Sequence, residues 1–570
     1  MSGSGHNNNK SKSNIRGISP QALKVMFALF PFINGLFYEW QAALASLALT
    51  SFIVYAVIRS RSLKFNISLK FITALLIPVM HIISAFTAVD SGMAVMGFIK
   101  FLPLPLFVLA ADQTDIKDGK DLLEYLPYSA AVMVIMSVPL SFVEVLRGHI
   151  IVSGRLGGFF EYPNTFAMFL LICAVYLLFR DEIRVRDWIL ALIAVTGIVL
   201  SGSRTVMALS AVALVVFIIT VRSKKLRIIA VSGAAGMAVI AGIYVLATGR
   251  TEAVGRLFTS LTENSTFTGR FLYWKDALPV ILKHPLGLGY YGYSFTQGSF
   301  QTGVYSVIHI HNDLLQILLD IGWIPAVVTV ILTVRSVIKA DRCMRMILVL
   351  SVLHSLFDID LQFASVALIL LAVADGTSFR SFVIRKGAYV TAVLVSMICI
   401  ASATVGTCSA CWYWRADAAA LSIYPFYTPS RIRVLQETST AEDMDREADA
   451  ILAYNSSVSI AYSAKARTAF ARGDVLEMIE NKKKAIELNR YDITEYTDYI
   501  DMLQTAVTIY AEAGDYDSAM YCVRCVLEVP DMLEQVKAGT SELAWKIDDK
   551  PVLTLPDEYQ AYVSELENLV

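Results

Sequence analysis

Apolar runs recur from residue 19 to residue 410, separated by short polar links, and they leave the chain few ways to fold. Each run is roughly 17–25 residues, the length of helix that crosses about 30 Å of hydrocarbon. Spacing and length predict about 13 spans, near 19–38, 41–58, 67–88, 91–111, 122–145, 164–179, 187–202, 205–221, 227–247, 312–334, 344–361, 362–378 and 388–410. One long polar interruption, 248–312, breaks this economy. It carries Gly269-Arg270, Trp274, the Pro285-Leu-Gly287-Leu-Gly289 turn and His309-Ile-His311-Asn312. Ionisable groups beside a bilayer need a reason, and the default reason is a site.

The fold class is therefore all-α, a polytopic membrane helical bundle followed by a soluble helical region. Hydrophobic residues make up 56% of the 570 and charged residues only 17%, and the charge is segregated along the chain. Residues 1–18, rich in Ser, Gly, Asn and Lys, have the composition of a disordered tail. The run at 19–38 is long for a signal-peptide core and lacks a small-x-small cleavage site, so it is expected to stay as the first helix.

Orientation follows from the basic residues. Lys10, Lys12, Arg16 and Lys24 precede the first span; Arg59, Arg61 and Lys64 follow the second. Arg180, Arg184 and Arg186 follow the sixth, and Arg335, Lys339, Arg342 and Arg345 the tenth. All fall on one side if the N-terminus is cytoplasmic. The loops at 147–163, 201–205, 248–311 and 357–361 then face outward, as does everything from about 411.

Residues 411–570 are a different kind of sequence, with 28 acidic against 15 basic residues. Amphipathic helices are expected at 439–454, 457–472, 474–489, 493–513 and 515–529, with turns at Arg472-Gly473-Asp474 and Ala513-Gly514-Asp515. Small residues recur at Ala464, Ala466, Ala469, Ala485 and Ala519. This resembles a degenerate tetratricopeptide array, although the period is nearer 41 than 34; a helical hairpin domain of another type is the alternative.

Four outward residues stand out: Arg155 in Gly154-Arg155-Leu-Gly157-Gly158, Arg204 in Gly202-Ser203-Arg204, Arg270 and His311. The planar fork of arginine suits phosphate oxygens. Histidine near its ordinary pKa suits proton removal from a hydroxyl. Together they fit displacement at a carbon activated by diphosphate. Taken singly, each has a plainer reading: an arginine at a helix end snorkels to headgroups, and a glycine-rich turn serves only the backbone. Asp358-Ile-Asp360, with His354 one turn earlier, is a candidate metal pair or a carboxylate that holds an arginine. His309-x-His311 has no acidic or thiol partner beside it in sequence. Cys408-x-x-Cys411 and Cys522-x-x-Cys525 read best as structural cysteines, with a disulfide, redox or zinc role as the alternatives.

The ordered set Gly-Arg155-x-Gly-Gly, Pro163-Asn164, Gly202-Ser203-Arg204, Gly269-Arg270, Trp274, His284-Pro285-Leu-Gly287-Leu-Gly289 and His311-Asn312 resembles the O-antigen ligase/polymerase family over about residues 20–410. The resemblance implies an inverting glycosyltransferase that needs neither metal nor nucleotide. Such an enzyme takes a glycan from an undecaprenyl-diphosphate carrier at the outer face of the cytoplasmic membrane. It implies that Arg204 and Arg270 act at the donor diphosphate and that His311 is the base. Arg155, Asn164, Trp274 and Asn312, from the same motifs, are expected to bind substrate. A thirteenth span and an exported helical tail depart from a plain ligase and leave the acceptor open: a glycan, a lipid or a protein. Three regions are expected: the tail 1–18, a membrane transferase 19–410 and an extracytoplasmic helical region 411–570 that docks an envelope protein or the glycan. Membrane lipids are partners; nucleic acid is not. The alternatives are a repeat-unit polymerase of the same family, a transporter of lipid-linked glycans, or a non-catalytic scaffold whose working part is the tail.

Overall fold

Continuous apolar runs become helices here because a helix satisfies its own backbone groups. The computed structural model describes residues 18–116, 118–180, 182–229, 231–233 and 265–568. The expected tail (except Ile18), most of the span 227–247 and the loop from 248 to 264 lie outside the described residues. Four described helices are long and apolar enough to cross a membrane: Glu39–Ser60, Ser91–Asp112, Gly119–Leu140 and Ala388–Tyr413. The other apolar helices are shorter, among them Leu69–Ser84, Pro163–Leu178, Arg204–Thr220 and Ala364–Val373.

Pro163–Leu178 runs through the middle of the bundle, buried from Thr165 to Leu177. It packs against Val185–Ser201, Arg342–Ser355 and Leu126–Leu140. By contrast, Val390, Val393, Leu394, Met397 and Ile400 of Ala388–Tyr413 are exposed. That is a continuous apolar flank of the kind lipid covers. Two short antiparallel pairings interrupt the helices: Leu63–Ser68 with Ser378–Ile384, and Ile151–Val152 with Arg155–Leu156. In the second, Ser153 and Gly154 both take positive φ, 50° and 72°. Those angles are what a two-residue type I′ hairpin turn requires, and the turn delivers Arg155.

Two expected spans are corrected. The run at 312–334 is not one helix but two, Asp313–Ile321 and Trp323–Lys339. Gly322 separates them at φ 82°, where a Cβ would lie 2.2 Å from the Pro285 carbonyl oxygen. The Pro285–Gly289 turn packs into that break: Gly289 N donates to Asp320 O at 3.0 Å and Trp323 N to Pro285 O at 3.1 Å. Gly322→Ala should therefore cost about 3 kcal/mol through strain and forced separation. A lowered melting temperature of the purified protein checks this. The run at 19–38 ends its α-helix at Leu29 and continues as two tight turns through Pro31 and Gly35.

After Ala388–Tyr413 the chain continues as helices Asp417–Ile423, Thr428–Glu437, Ala441–Leu452, Ser459–Ala471, Val475–Leu488, Ile493–Glu512, Tyr516–Leu527, Val529–Gly539 and Asp557–Glu567. Gly473 and Gly514 take φ 80° and 75° at the two expected turns. Ala464, Ala466, Ala469, Ala485 and Ala519 are all buried where these helices meet. Cys522 and Cys525 are buried in the same core, and Cys408 lies against Met96; these three and Cys411 are free thiols.

These helices do not hang free. Asp90, which caps Ser91–Phe101 through Met93 N at 3.0 Å, also accepts from Thr428 Oγ1 and from Asn455 Nδ2 at 3.0 Å. Ser541 N donates to Thr302 O at 2.8 Å, and Lys275 Nζ donates to Ser541 Oγ at 3.1 Å. Ala544 and Ile547 share a hydrophobic cluster with Leu272, Ala277 and Tyr305. The segment 541–547 thus braces the helix Ser265–Lys283.

Candidate active site

One buried carboxylate gathers the site. The helix Arg342–Ser355 ends before Asp358, and the chain turns there into Ala364–Val373. Asp358 is 2% exposed. Its Oδ1 accepts from Tyr162 OH at 2.7 Å, and its Oδ2 accepts from Asn164 Nδ2 at 2.7 Å and from Arg270 Nη2 at 3.4 Å. Asn164 in turn accepts from Arg155 Nη2 at 2.6 Å. Arg155 Nε donates to Ser201 O at 2.8 Å, the last residue of Val185–Ser201. A cation at a helix C-terminus is favourable in its own right.

Gly202 follows at φ 61°, and Arg204 opens the next helix, Arg204–Thr220. Arg204 makes no hydrogen bond or ion pair among the described residues. Both Arg204 and Arg270 lie within electrostatic range of Arg155. Three arginines therefore lie near one another, and among the described residues Asp358 pairs with one of them, Arg270. The Arg270 side chain is 11% exposed, and its Nε is buried without a partner among the described residues. An orphaned guanidinium donor is costly unless something accepts from it. An oxyanion, carboxylate or phosphate, is the group whose oxygens match the planar fork.

His311 stands across from these arginines, at φ 53°, in the left-handed region. Its neighbours hold it there. Asn312 caps Asp313–Ile321 by accepting from Leu315 N at 3.0 Å, and its amide donates to Leu356 O at 2.9 Å. Trp274 Nε1 donates to Ile310 O at 3.1 Å, and its ring meets Phe357 at 5.6 Å. The helix of Arg270, the histidine loop and the Asp358 segment are thus stapled to one another. Trp274 and Asn312 use their polar groups on backbone N–H and carbonyl groups, so in this structure they hold the loop.

Neither ring nitrogen of His311 hydrogen-bonds to a described residue, and Nδ1 is buried. Burial pushes its pKa down; Asp358 pulls it up and Arg270 pushes it down, leaving it below its ordinary value. The imidazole is neutral at pH 7, as a base must be. Asp358→Asn removes the one group that raises this pKa. The acid limb of kcat/KM is expected to move to lower pH in that variant, while the amide keeps the Tyr162 bond. A rate profile from pH 4 to 8 checks this.

The Asp358-Ile-Asp360 pair does not share one site. Asp360 accepts from Thr165 Oγ1 at 3.0 Å and pairs with His354 Nδ1 at 2.6 Å. His309 faces the rings of Phe37 and Tyr291, each at 6.1 Å, away from Asp358. Among the described residues, no group of three His, Cys, Asp or Glu side chains is placed to hold a metal. Sequence reasoning missed Tyr162; its only signal was a place beside Pro163-Asn164.

The helical bundle and its apolar spans are those of an integral membrane protein. Residues 189–330, about a quarter of the chain, match the family model of the O-antigen ligase. The matched stretch holds Arg204, Arg270, Trp274, His311 and Asn312. No curated protein matches the chain.

Proposed function

We propose that this protein is an inverting glycosyltransferase that moves a glycan from undecaprenyl diphosphate to an acceptor, without metal or nucleotide. The observation that carries the reading is Arg270, whose buried Nε is unpaired while its helix is stapled to the His311 loop. Arg270 and Arg204 bind the diphosphate and neutralise the charge that grows as it leaves. His311 takes the proton of the acceptor hydroxyl. The acceptor oxygen bonds to the anomeric carbon from the face opposite the diphosphate. The bond from that carbon to the diphosphate oxygen breaks, the electron pair leaves with the diphosphate, and the configuration inverts. Asp358 holds Arg270, and Asn164 holds Arg155 beside them.

In this reading the N-terminus is cytoplasmic and the site opens at the outer face of the cytoplasmic membrane. The helices after residue 411 form an extracytoplasmic, tetratricopeptide-like region that docks the acceptor or an envelope protein, since stacked helical hairpins make concave surfaces.

The test is a glycan gel of cells that carry, lack or express His311→Ala protein, with lipid-linked intermediates extracted in parallel. Full-length chains held on the carrier identify a ligase, and single repeat units a polymerase. An unchanged profile in both altered strains overturns the enzyme reading.

A further inference from the structure

Beneath the candidate site lies a cavity of about 110 Å³. Its walls are mostly apolar, yet Asp313, Asp320 and His81 face it, together with Gln362, Thr329 and Thr333. Asp313 is 2% exposed and Asp320 3%. Asp313 Oδ1, Gln362 Oε1 and Thr329 Oγ1 are buried with no hydrogen-bond partner among the described residues. No cationic side chain among the described residues forms a salt bridge to either aspartate.

We propose that this cavity is a hydration site, in which a small cluster of water bonds to Asp313 and Asp320 held as neutral acids. The volume suits about three or four waters at roughly 30 Å³ each. A polar wall with orphaned oxygens is what makes a cavity wet; purely apolar cavities stay dry. Two unpaired carboxylates there would cost several kcal/mol each, and protonation is the less costly state. Lys100 and Tyr291 lie within electrostatic range of Asp320, Asp358 and Asp360 within range of Asp313, and His81 lines the same cavity. Lys100 Nζ is engaged by the Phe37 carbonyl, and His354 is taken by Asp360.

The position gives the site its use. Asp320 Oδ1 accepts from Gln316 Nε2 at 2.8 Å, and Gln316 Oε1 accepts from Ile310 N at 2.9 Å, the residue before His311. Asp313 Oδ2 accepts from Leu361 N at 3.0 Å, just past Asp358 and Asp360. The two acids therefore support both segments that build the candidate site, and as neutral groups they do so without repelling an incoming diphosphate. Only that last clause rests on the proposed glycan transfer. The supply of water is also on view. Thr329, Thr333 and Ser336 line the cavity along one face of Trp323–Lys339, and Ser336 and Ala374 also line a second, polar cavity of about 470 Å³ beside Lys70 and Asp375.

Infrared spectroscopy of the full chain in phospholipid nanodiscs at pH 7 tests this without an activity assay. The wild type minus Asp313→Asn and wild type minus Asp320→Asn spectra should each show loss of a protonated-carboxyl stretch that shifts promptly in D2O. Loss of carboxylate bands alone overturns the neutral-acid assignment, and a carboxyl band that does not exchange overturns the hydration. Thr329→Leu, which fills the cavity and leaves both acids in place, should slow the exchange. An unchanged exchange rate in that variant also counts against the proposal.

Discussion

Arg270→Ala is expected to lower glycan transfer about a thousandfold while the protein remains in the membrane, because a preorganised donor aimed at developing charge is worth that much. The guanidinium is held on one side by Asp358 at 3.4 Å, and its Nε has no partner among the described residues. That arrangement leaves a donor that an arriving oxyanion can satisfy. Lysine cannot restore it: an ammonium offers a point charge without the planar fork, so Arg270→Lys should recover only a small part of the rate. The residual activity carries a second signature. Arg270 depresses the pKa of His311. Its loss should therefore move the acid limb of the rate profile upward, opposite in sign to the shift expected of Asp358→Asn. A variant that lost activity by misfolding would show no such shift. Transfer from a lipid-linked donor in membrane vesicles, followed across pH, measures both.

His311→Ala should lower transfer by about 10²–10⁴-fold, the range for losing a positioned general base. The burial that keeps the imidazole neutral sets the pH behaviour of the wild type. With the pKa below its ordinary value of about 6.5, the base stays unprotonated as the pH falls through neutrality. The rate should decline only below that value. His311→Gln, which keeps a hydrogen-bonding side chain but cannot take the proton, should be as inactive as alanine. Near-normal turnover in His311→Gln would mean that the ring positions the acceptor and is not its base.

Much of this architecture could be read before any coordinates. Apolar length located the four long helices, and the 3.6-residue period located the five helices between 441 and 527, where Gly473 and Gly514 mark turns that need positive φ; the helices at 417–423, 428–437, 529–539 and 557–567 were not read. The breaks in apolar runs could not be read. Hydropathy is blind to Gly322, whose role comes from a carbonyl supplied by Pro285, 37 positions earlier in the chain. The same limit governs the site. Arg155, Arg204, Arg270 and His311 announce themselves as charge where a membrane protein has little. Asp358 could be read either as half of a metal pair or as a carboxylate that holds an arginine, because nothing local distinguishes a carboxylate that binds a cation from one that accepts from Tyr162, Asn164 and Arg270. Those partners lie 196, 194 and 88 positions away, and only the packed bundle brings them together.

The brace at 541–547 bears on how the molecule is made. Synthesis runs from the N-terminus, and the bundle residues through Tyr413 emerge well before Ser541. The helix that carries Arg270 therefore enters the growing structure without the surface that Ala544 and Ile547 will later cover. Until residues 541–547 leave the ribosome, Lys275 and Thr302 lack their bonds to Ser541. The helix that carries Arg270 therefore gains this brace late in synthesis, and a polypeptide that stops before residue 541 is expected to keep its apolar helices while the face of Leu272 and Ala277 stays uncovered.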